Sequence, residues 1–271
     1  MTEVLAISLF LTICLTLVIG YPVAFVLGGV SLIFAMIGVA TGAFDPSFLQ
    51  ALPNRLFGIM NNQTLLAVPL FVFMGVMLEK SRVAEDLLES MSRLFGTLRG
   101  GLAISVCVVG ALLAASTGVV GATVVTLGLL ALPTMLRRGY DPAVATGTLA
   151  ATGTLGQIIP PSIILVLLGD VLSSAYQQAQ IRMGVFTPKT VSVGDLFIGA
   201  LIPGVLLVCL YIAYLIFVAV TQPKKLPALP QEALGPIEWG RLFKALLPPL
   251  VLMGSVLGSI LAGVATPTEA A

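Results

Sequence analysis

The sequence predicts an all-α polytopic membrane protein, and three observations carry that expectation. The chain has 271 residues, of which 58% are hydrophobic and only 9% charged, whereas a soluble globular chain carries about 25% charged residues. Its mean hydropathy is +1.10. The charges are also segregated: all 13 Lys and Arg and all 12 Asp and Glu lie outside six apolar windows. The windows Val4–Phe44, Leu56–Leu78, Gly100–Leu136, Pro142–Gly169, Leu196–Pro223 and Ala245–Thr268 are 41, 23, 37, 28, 28 and 24 residues long. A membrane helix needs about 20 apolar residues, so each window can hold at least one.

The same composition excludes several chemistries. A net charge of +1 without a dense basic run offers nucleic acid no counterion release. The chain has no His, so zinc HExxH motifs, Ser-His dyads and imidazole proton shuttles are absent. No acid sits in the middle of a window, which removes the parts of an intramembrane carboxylate relay. Cys14, Cys107 and Cys209 all lie in apolar windows and read as small buried hydrophobes. No enzyme chemistry, cofactor or resident metal is expected.

The first window starts behind an acidic head, Met1-Thr2-Glu3, and runs past twenty residues without a small-residue cleavage site, unlike a signal peptide. Gly20-Tyr21-Pro22 divides it into helices over 4–19 and 23–40, because proline lacks a backbone donor and disfavours helix just before itself. Asn61-Asn62-Gln63-Thr64 introduces a third span near 64–79, its amides costly in lipid and suited to a helix cap or a site lining. Orientation follows the Lys and Arg of the connecting segments. Segments 79–99, 137–141 and 224–244 carry four, two and four, and are placed in the cytoplasm; 45–55 and 170–195, with one and two, become external loops. The N-terminus is then external too.

Window 100–136 must therefore start and finish on the cytoplasmic side. Its centre, Gly110-Ala-Leu-Leu-Ala-Ala-Ser-Thr-Gly-Val-Val-Gly-Ala-Thr123, is small and neutral. Such a turn suits backbone packed under protein at membrane depth more than an external aqueous loop; helix packing through small residues is the alternative. The next window is interrupted by Pro160-Pro161 within Gly153-Thr-Leu-Gly-Gln-Ile-Ile-Pro-Pro-Ser162. Adjacent prolines deprive preceding carbonyls of donors. A half-helix starting near Ser162 would aim its N–H groups at mid-membrane and favour an anion. Unwound carbonyls for a cation and a positive helix end for a carboxylate are the parts of a secondary-transporter site.

Between Arg82 and Leu98, the apolar residues Val83, Leu87, Met91, Leu94 and Leu98 recur at helical spacing opposite Arg82, Glu85, Asp86, Glu89 and Arg93. This pattern predicts an amphipathic helix in the cytoplasmic interface. Residues 222–240 are Pro-rich and polar and read as a linker, and Trp239 as an interfacial anchor for the last helix.

Gly153–Ser162, the Ser116-Thr117-Gly118 tip and Gly263-Val-Ala-Thr-Pro-Thr-Glu-Ala-Ala271 together resemble, along essentially the whole chain, the large membrane (permease) subunit of TRAP transporters, the tripartite ATP-independent periplasmic transporters. The resemblance implies an elevator-type secondary transporter driven by Na⁺. It implies a small membrane subunit, a periplasmic solute-binding protein and a small organic-acid substrate as partners, with no nucleic acid. The location it implies is the inner (cytoplasmic) membrane of a bacterium or archaeon, multi-pass in the lipid bilayer. It also implies two inverted repeats, of which these residues hold one, because Ala-Thr-Pro-Thr-Glu would open the second. The chain would then be a truncated gene or a fragment, or another chain would supply the remainder.

On that basis residues 1–80 are expected as scaffold helices and 81–99 as an interfacial arm. Residues 100–195 form the transport part, with a re-entrant hairpin at 100–138, a broken helix at 142–170 and an external loop at 171–195. A transmembrane helix at 196–221, a cytoplasmic linker at 222–242 and the start of the second repeat at 243–271 follow. Ser116, Thr117, Gly118, Thr152, Gly153 and Gly156 are the expected sodium-binding residues, since neutral hydroxyl and carbonyl oxygens suit a hard monovalent cation. Gln157, Pro160, Pro161 and Ser162 are the expected substrate side. A passive channel component and a non-transporting structural subunit are the competing readings.

Overall fold

Proline, glycine and polar caps set the helix ends, and lipid-length apolar runs set the lengths. The computed structural model describes residues 2–81, 83–118, 120–228 and 238–270. Every element among them is helical. Among the described residues, four helices are long and apolar enough to cross a membrane.

The chain divides into two units, Met1–Asn62 and Gln63–Ala271. In the first, α1 (Thr2–Val18) and α2 (Val23–Ala40) pack on each other, and α3 (Ser47–Met60) follows. Gly20 takes φ 96° and Pro22 directly precedes α2, so the expected break stands where the sequence places it. The external loop expected over 45–55 is instead largely α3. Two charges in eleven residues mark where apolarity pauses, and that does not stop a helix. Asp45 Oδ1 accepts from the Ser47 N–H at 2.8 Å at the helix start, which holds the Asp45 carboxyl below its ordinary value. Phe10, Phe25 and Met36 are exposed on α1 and α2, the distribution of helices whose apolar sides face lipid or another subunit.

The second unit contains α4 (Gln63–Lys80), α5 (Val83–Phe95), α6 (Gly101–Thr117), α7 (Val120–Arg137), α8 (Pro142–Thr154), a 3₁₀ turn (Leu155–Gln157) and α9 (Ile163–Arg182). It closes with α10 (Val193–Thr221), α11 (Trp239–Leu261) and the short α12 (Pro267–Ala270). The helix beyond the prolines runs to Arg182, so the broken helix extends past 170 and the connection expected over 171–195 shrinks to 183–192. The polar residues Ser173, Ser174, Gln177 and Gln178 break the apolar run without ending the helix, because they are tolerated helix residues. A reciprocal cap, with Ser192 Oγ accepting from the Asp195 N–H at 3.0 Å and the Asp195 carboxylate from the Ser192 N–H at 2.9 Å, starts α10 at Val193.

Two apolar clusters hold this unit together. The larger joins the buried face of α5 (Ala84, Leu87, Leu88, Met91) to α6, α7, α8, α10 and the start of α11. The smaller joins Ala67 and Phe71 of α4 to Val166, Phe197 and Ile260. The amphipathic pattern over 83–94 thus forms a helix with its apolar side buried. Leu98 lies beyond the helix end and is 54% exposed, and Arg82 lies outside the described residues.

Opposite charges tie α5 to the start of α11. Arg93 contacts Glu89 at 2.6 Å and Glu238 at 3.1 Å, and Arg241 contacts Asp86 at 3.2 Å. Glu89 first and Glu238 second hold the Arg93 guanidinium above its ordinary value.

The linker expected over 222–242 is shorter and partly docked. Residues 229–237 lie outside the described residues, and α11 already begins at the exposed Trp239. Before them, Leu226 is fully buried; its carbonyl accepts from the Gly100 N–H at 3.2 Å and the Lys225 carbonyl from the Asp141 N–H at 3.0 Å. This strand of chain straps both feet of the α6–α7 hairpin.

Candidate functional site

The α6–α7 hairpin turns at Gly118, which takes φ 61°. Only glycine adopts that conformation without a steric penalty. The buried tip stands against the first turn of α9: a Cβ on Gly118 would lie 3.4 Å from Ile163 Cγ1 and 3.6 Å from the Ile163 nitrogen. The hairpin therefore ends at the N-terminus of the half-helix that starts after the prolines.

The break is built from donors that are missing. The Leu155 carbonyl accepts from both the Ile158 and Ile159 N–H groups, at 3.0 and 2.9 Å. The next two carbonyls, Gly156 and Gln157, would bond to residues 160 and 161 in a continued helix, and both are proline. Ser162 Oγ donates to the Gln157 carbonyl at 2.8 Å, which replaces one lost bond. The Gly156 carbonyl is left as the acceptor without a helical donor. Ser162 also caps α9, its Oγ accepting from the Leu165 N–H at 3.5 Å. The Pro160–Pro161 peptide is cis.

The expected site residues distribute unevenly around this junction. Gly118, Ser162 and the 3₁₀ turn with Gly156 come together beneath the start of α9. Ser116 and Thr117 are helical at the end of α6, and their side chains lie outside the described residues. Thr152, only 1% exposed, packs at Gly110, eight residues before the tip and so about 12 Å along α6. Its side chain lies beside the Cys107 thiol. Gly153 lies against Val124 of α7, where a Cβ would overlap the Val124 side chain. Thr152 and Gly153 thus sit in the packing seams of α8 with α6 and α7, below the break. Gln157 is exposed, whereas Pro160, Pro161 and Ser162 are buried. Their backing comes from α10, where a Cβ on Gly204 would lie 3.1 Å from Ile159 Cγ1.

Gly110, Cys107 and Gly204 position the site and carry no motif. Their only signal is smallness, which 28 glycines share. The junction offers neutral oxygens, a carbonyl without a helical donor and the positive end of a 20-residue helix. Among the described residues, no group of His, Cys, Asp and Glu could hold a metal ion.

The family model described as "Tripartite ATP-independent periplasmic transporter, DctM component" matches residues 10–271. The C4-dicarboxylate TRAP transporter large permease protein DctM of Pseudomonas aeruginosa is 36% identical over 228 residues, covering 84% of this chain and 48% of that protein. Its counterpart of the same name in Vibrio cholerae is 32% identical, covering 97% of this chain and 52% of that protein. The ectoine/5-hydroxyectoine TRAP transporter large permease protein UehC of Ruegeria pomeroyi is 28% identical, over 98% and 56%. The chain spans about half the length of the curated relatives it matches.

Proposed function

The chain belongs to the DctM-component family of tripartite ATP-independent periplasmic transporters, and on that premise we propose that it works in sodium-coupled import of small organic acids. It is a large permease subunit, a transporter component and not an enzyme, and a multi-pass protein of the bacterial inner membrane. In this reading it acts with a small membrane subunit and receives solute from a periplasmic solute-binding protein. The single observation that carries the reading is the seating of the Gly118 tip on the start of α9 beside a proline-made break.

Each half of the junction suits one cargo. The Gly156 carbonyl, the Gly118 backbone and the hydroxyls of Ser116 and Thr117 are neutral oxygens for Na⁺. Thr152 and Gly153, packed below, fix α8 so that those oxygens hold position. The first-turn N–H groups of α9 complement a carboxylate. Gln157, exposed at the break, supplies a side-chain amide, while Pro160, Pro161 and Ser162 shape the backbone around it. The relatives' names, one for C4-dicarboxylates and one for ectoine, support a small carboxylate-bearing solute.

Sodium is favoured over protons because no titratable side chain stands at the junction among the described residues, and a backbone carbonyl cannot carry a proton between the two faces. The elevator mechanism on inverted repeats belongs to this reading through the family membership alone.

Counterflow of a labelled C4-dicarboxylate in proteoliposomes tests the proposal, using a full-length permease that carries this segment together with its partner subunits. Saturable counterflow that requires Na⁺ is expected. Non-saturable equilibration without counterflow would leave a passive channel, no solute movement at all a structural subunit, and counterflow indifferent to Na⁺ would overturn the sodium coupling.

A further inference from the structure

Arg138 lies just past α7, and its half-buried guanidinium makes no hydrogen bond or ion pair among the described residues, its Nη1 being fully buried. A guanidinium partly withdrawn from water without an acceptor is costly, so its remaining N–H donors favour an anion. Arg138 lines a cavity of about 240 Å³ between α5 and the α6–α7 hairpin. Glu85, Glu89 and Ser92 face it from α5, Thr134 faces it from α7, and Leu88, Leu102 and Ala131 form an apolar wall.

The charges in this cavity do not neutralise each other. Glu89 is engaged by Arg93 at 2.6 Å and by Arg241 at 3.7 Å. Glu85 and Arg138 form no ion pair among the described residues, although they line the same space. A gap between an unpaired carboxylate and an unpaired guanidinium fits a ligand that carries both charges. The depth is also defined. α5 buries one apolar side and presents acids on the other, and Arg137-Arg138 ends the apolar run of α7, so both elements meet at the membrane boundary. The volume is below the roughly 300–1,000 Å³ of drug-sized sites, a size for a headgroup and not for acyl chains.

We propose that this cavity binds the phosphoethanolamine headgroup of a membrane phospholipid. The phosphate accepts from the accessible part of the Arg138 guanidinium and from the Thr134 hydroxyl, and the ammonium donates to Glu85. The acyl chains leave along the lipid-facing side of α7, where Val125 and Leu129 are exposed. Phosphatidylcholine has no N–H on its cation to give Glu85. Phosphatidylglycerol has no cation, so Glu85 would face an anionic headgroup. The inference needs the membrane orientation but not the transport reading.

The test is native mass spectrometry of the 271-residue chain in dodecyl maltoside, titrated with each of the three lipids. Phosphatidylethanolamine is expected to bind roughly ten-fold tighter than the other two, the worth of one charge-assisted contact. Glu85→Gln and Arg138→Gln should each abolish that preference, and Arg138→Lys should keep part of it. Glu85 is exposed, so its variant reports on the site even where an Arg138 variant folds poorly. Equal binding of the three lipids, or a preference that survives Glu85→Gln, would overturn the assignment. So would binding of soluble glycerophosphoethanolamine with no retained lipid, which would make the ligand a free metabolite.

Discussion

Gly110→Ala probes the contact that fixes α8 beside the hairpin. A Cβ there would overlap the Thr152 Cγ2 methyl, with Leu127 Cδ1 next at 3.0 Å and Thr152 Cβ at 3.3 Å. The leucine methyl is the end of a flexible side chain and can give way; the threonine methyl, on a 1%-exposed residue of a packed helix, cannot. Overpacking of this kind costs about 1–3 kcal/mol. Thr152→Ser alone removes one buried methyl and should cost about 1 kcal/mol. It keeps the hydroxyl beside the Cys107 thiol. In the double variant the new alanine methyl occupies the space the threonine methyl leaves, so the two costs should not add. The expected coupling is about 1–2 kcal/mol, within the range for residues in direct contact. The assay is equilibrium unfolding of the chain in mixed micelles for the wild type, both single variants and the pair. Additive costs within about 0.3–0.5 kcal/mol would mean that the two residues do not touch, and the placement of α8 against α6 would fall with them.

Other outcomes follow from the same geometry. Ser162→Ala removes the α9 cap and the bond to the Gln157 carbonyl; it should destabilise by about 0.5–2 kcal/mol in the same unfolding assay. Gly118→Ala should cost about 1–2 kcal/mol for the left-handed turn, with more for valine, again by unfolding. Arg93→Ala breaks one ion pair within α5 and one between α5 and the start of α11, and should cost no more than about 1 kcal/mol, a loss that shrinks in high salt. Single cysteines at Arg137 and Met183, with the three native cysteines replaced, should label with an impermeant thiol reagent from opposite sides of the membrane. Labelling from one side would mean that α8 and α9 together do not cross.

Much of the architecture was legible because membrane helices announce themselves by apolar length and by the residues that end them. The break at Gly20-Tyr21-Pro22, the turn at Gly118 and the interruption at Pro160-Pro161 are each dictated by one residue type with one conformational consequence. Element extents were less legible where charge was the only guide. Asp45 and Arg55 suggested a loop where α3 forms, and Asp170 suggested an end where α9 continues to Arg182. A lone charge in a helix can sit in a polar surrounding, and the sequence does not reveal which. At the site, Gly118, Gly156 and Ser162 follow from local chemistry. The contact of Thr152 with Gly110, and of Gly204 with Ile159, depends on how helices far apart in sequence align. Local spacing carries no information about that alignment. The docking of Leu226 under the hairpin was hidden for a related reason, since a Pro-rich stretch looks the same whether it hangs free or is strapped down.

The central claim is that neutral oxygens of the hairpin tip hold the coupling ion, and a sodium titration of counterflow addresses it most directly. A full-length permease carrying this segment would be reconstituted with its partner subunits as wild type, Ser116→Ala, and Thr16→Val. The last is a control on α1, whose hydroxyl donates to the Thr12 carbonyl at 2.6 Å. The account predicts that Ser116→Ala raises the half-saturating Na⁺ concentration by roughly 5- to 150-fold, the worth of one lost ligand at about 1–3 kcal/mol, and that Thr16→Val leaves it unchanged. Counterflow that follows a pH gradient and is indifferent to Na⁺ in all three proteins would contradict it.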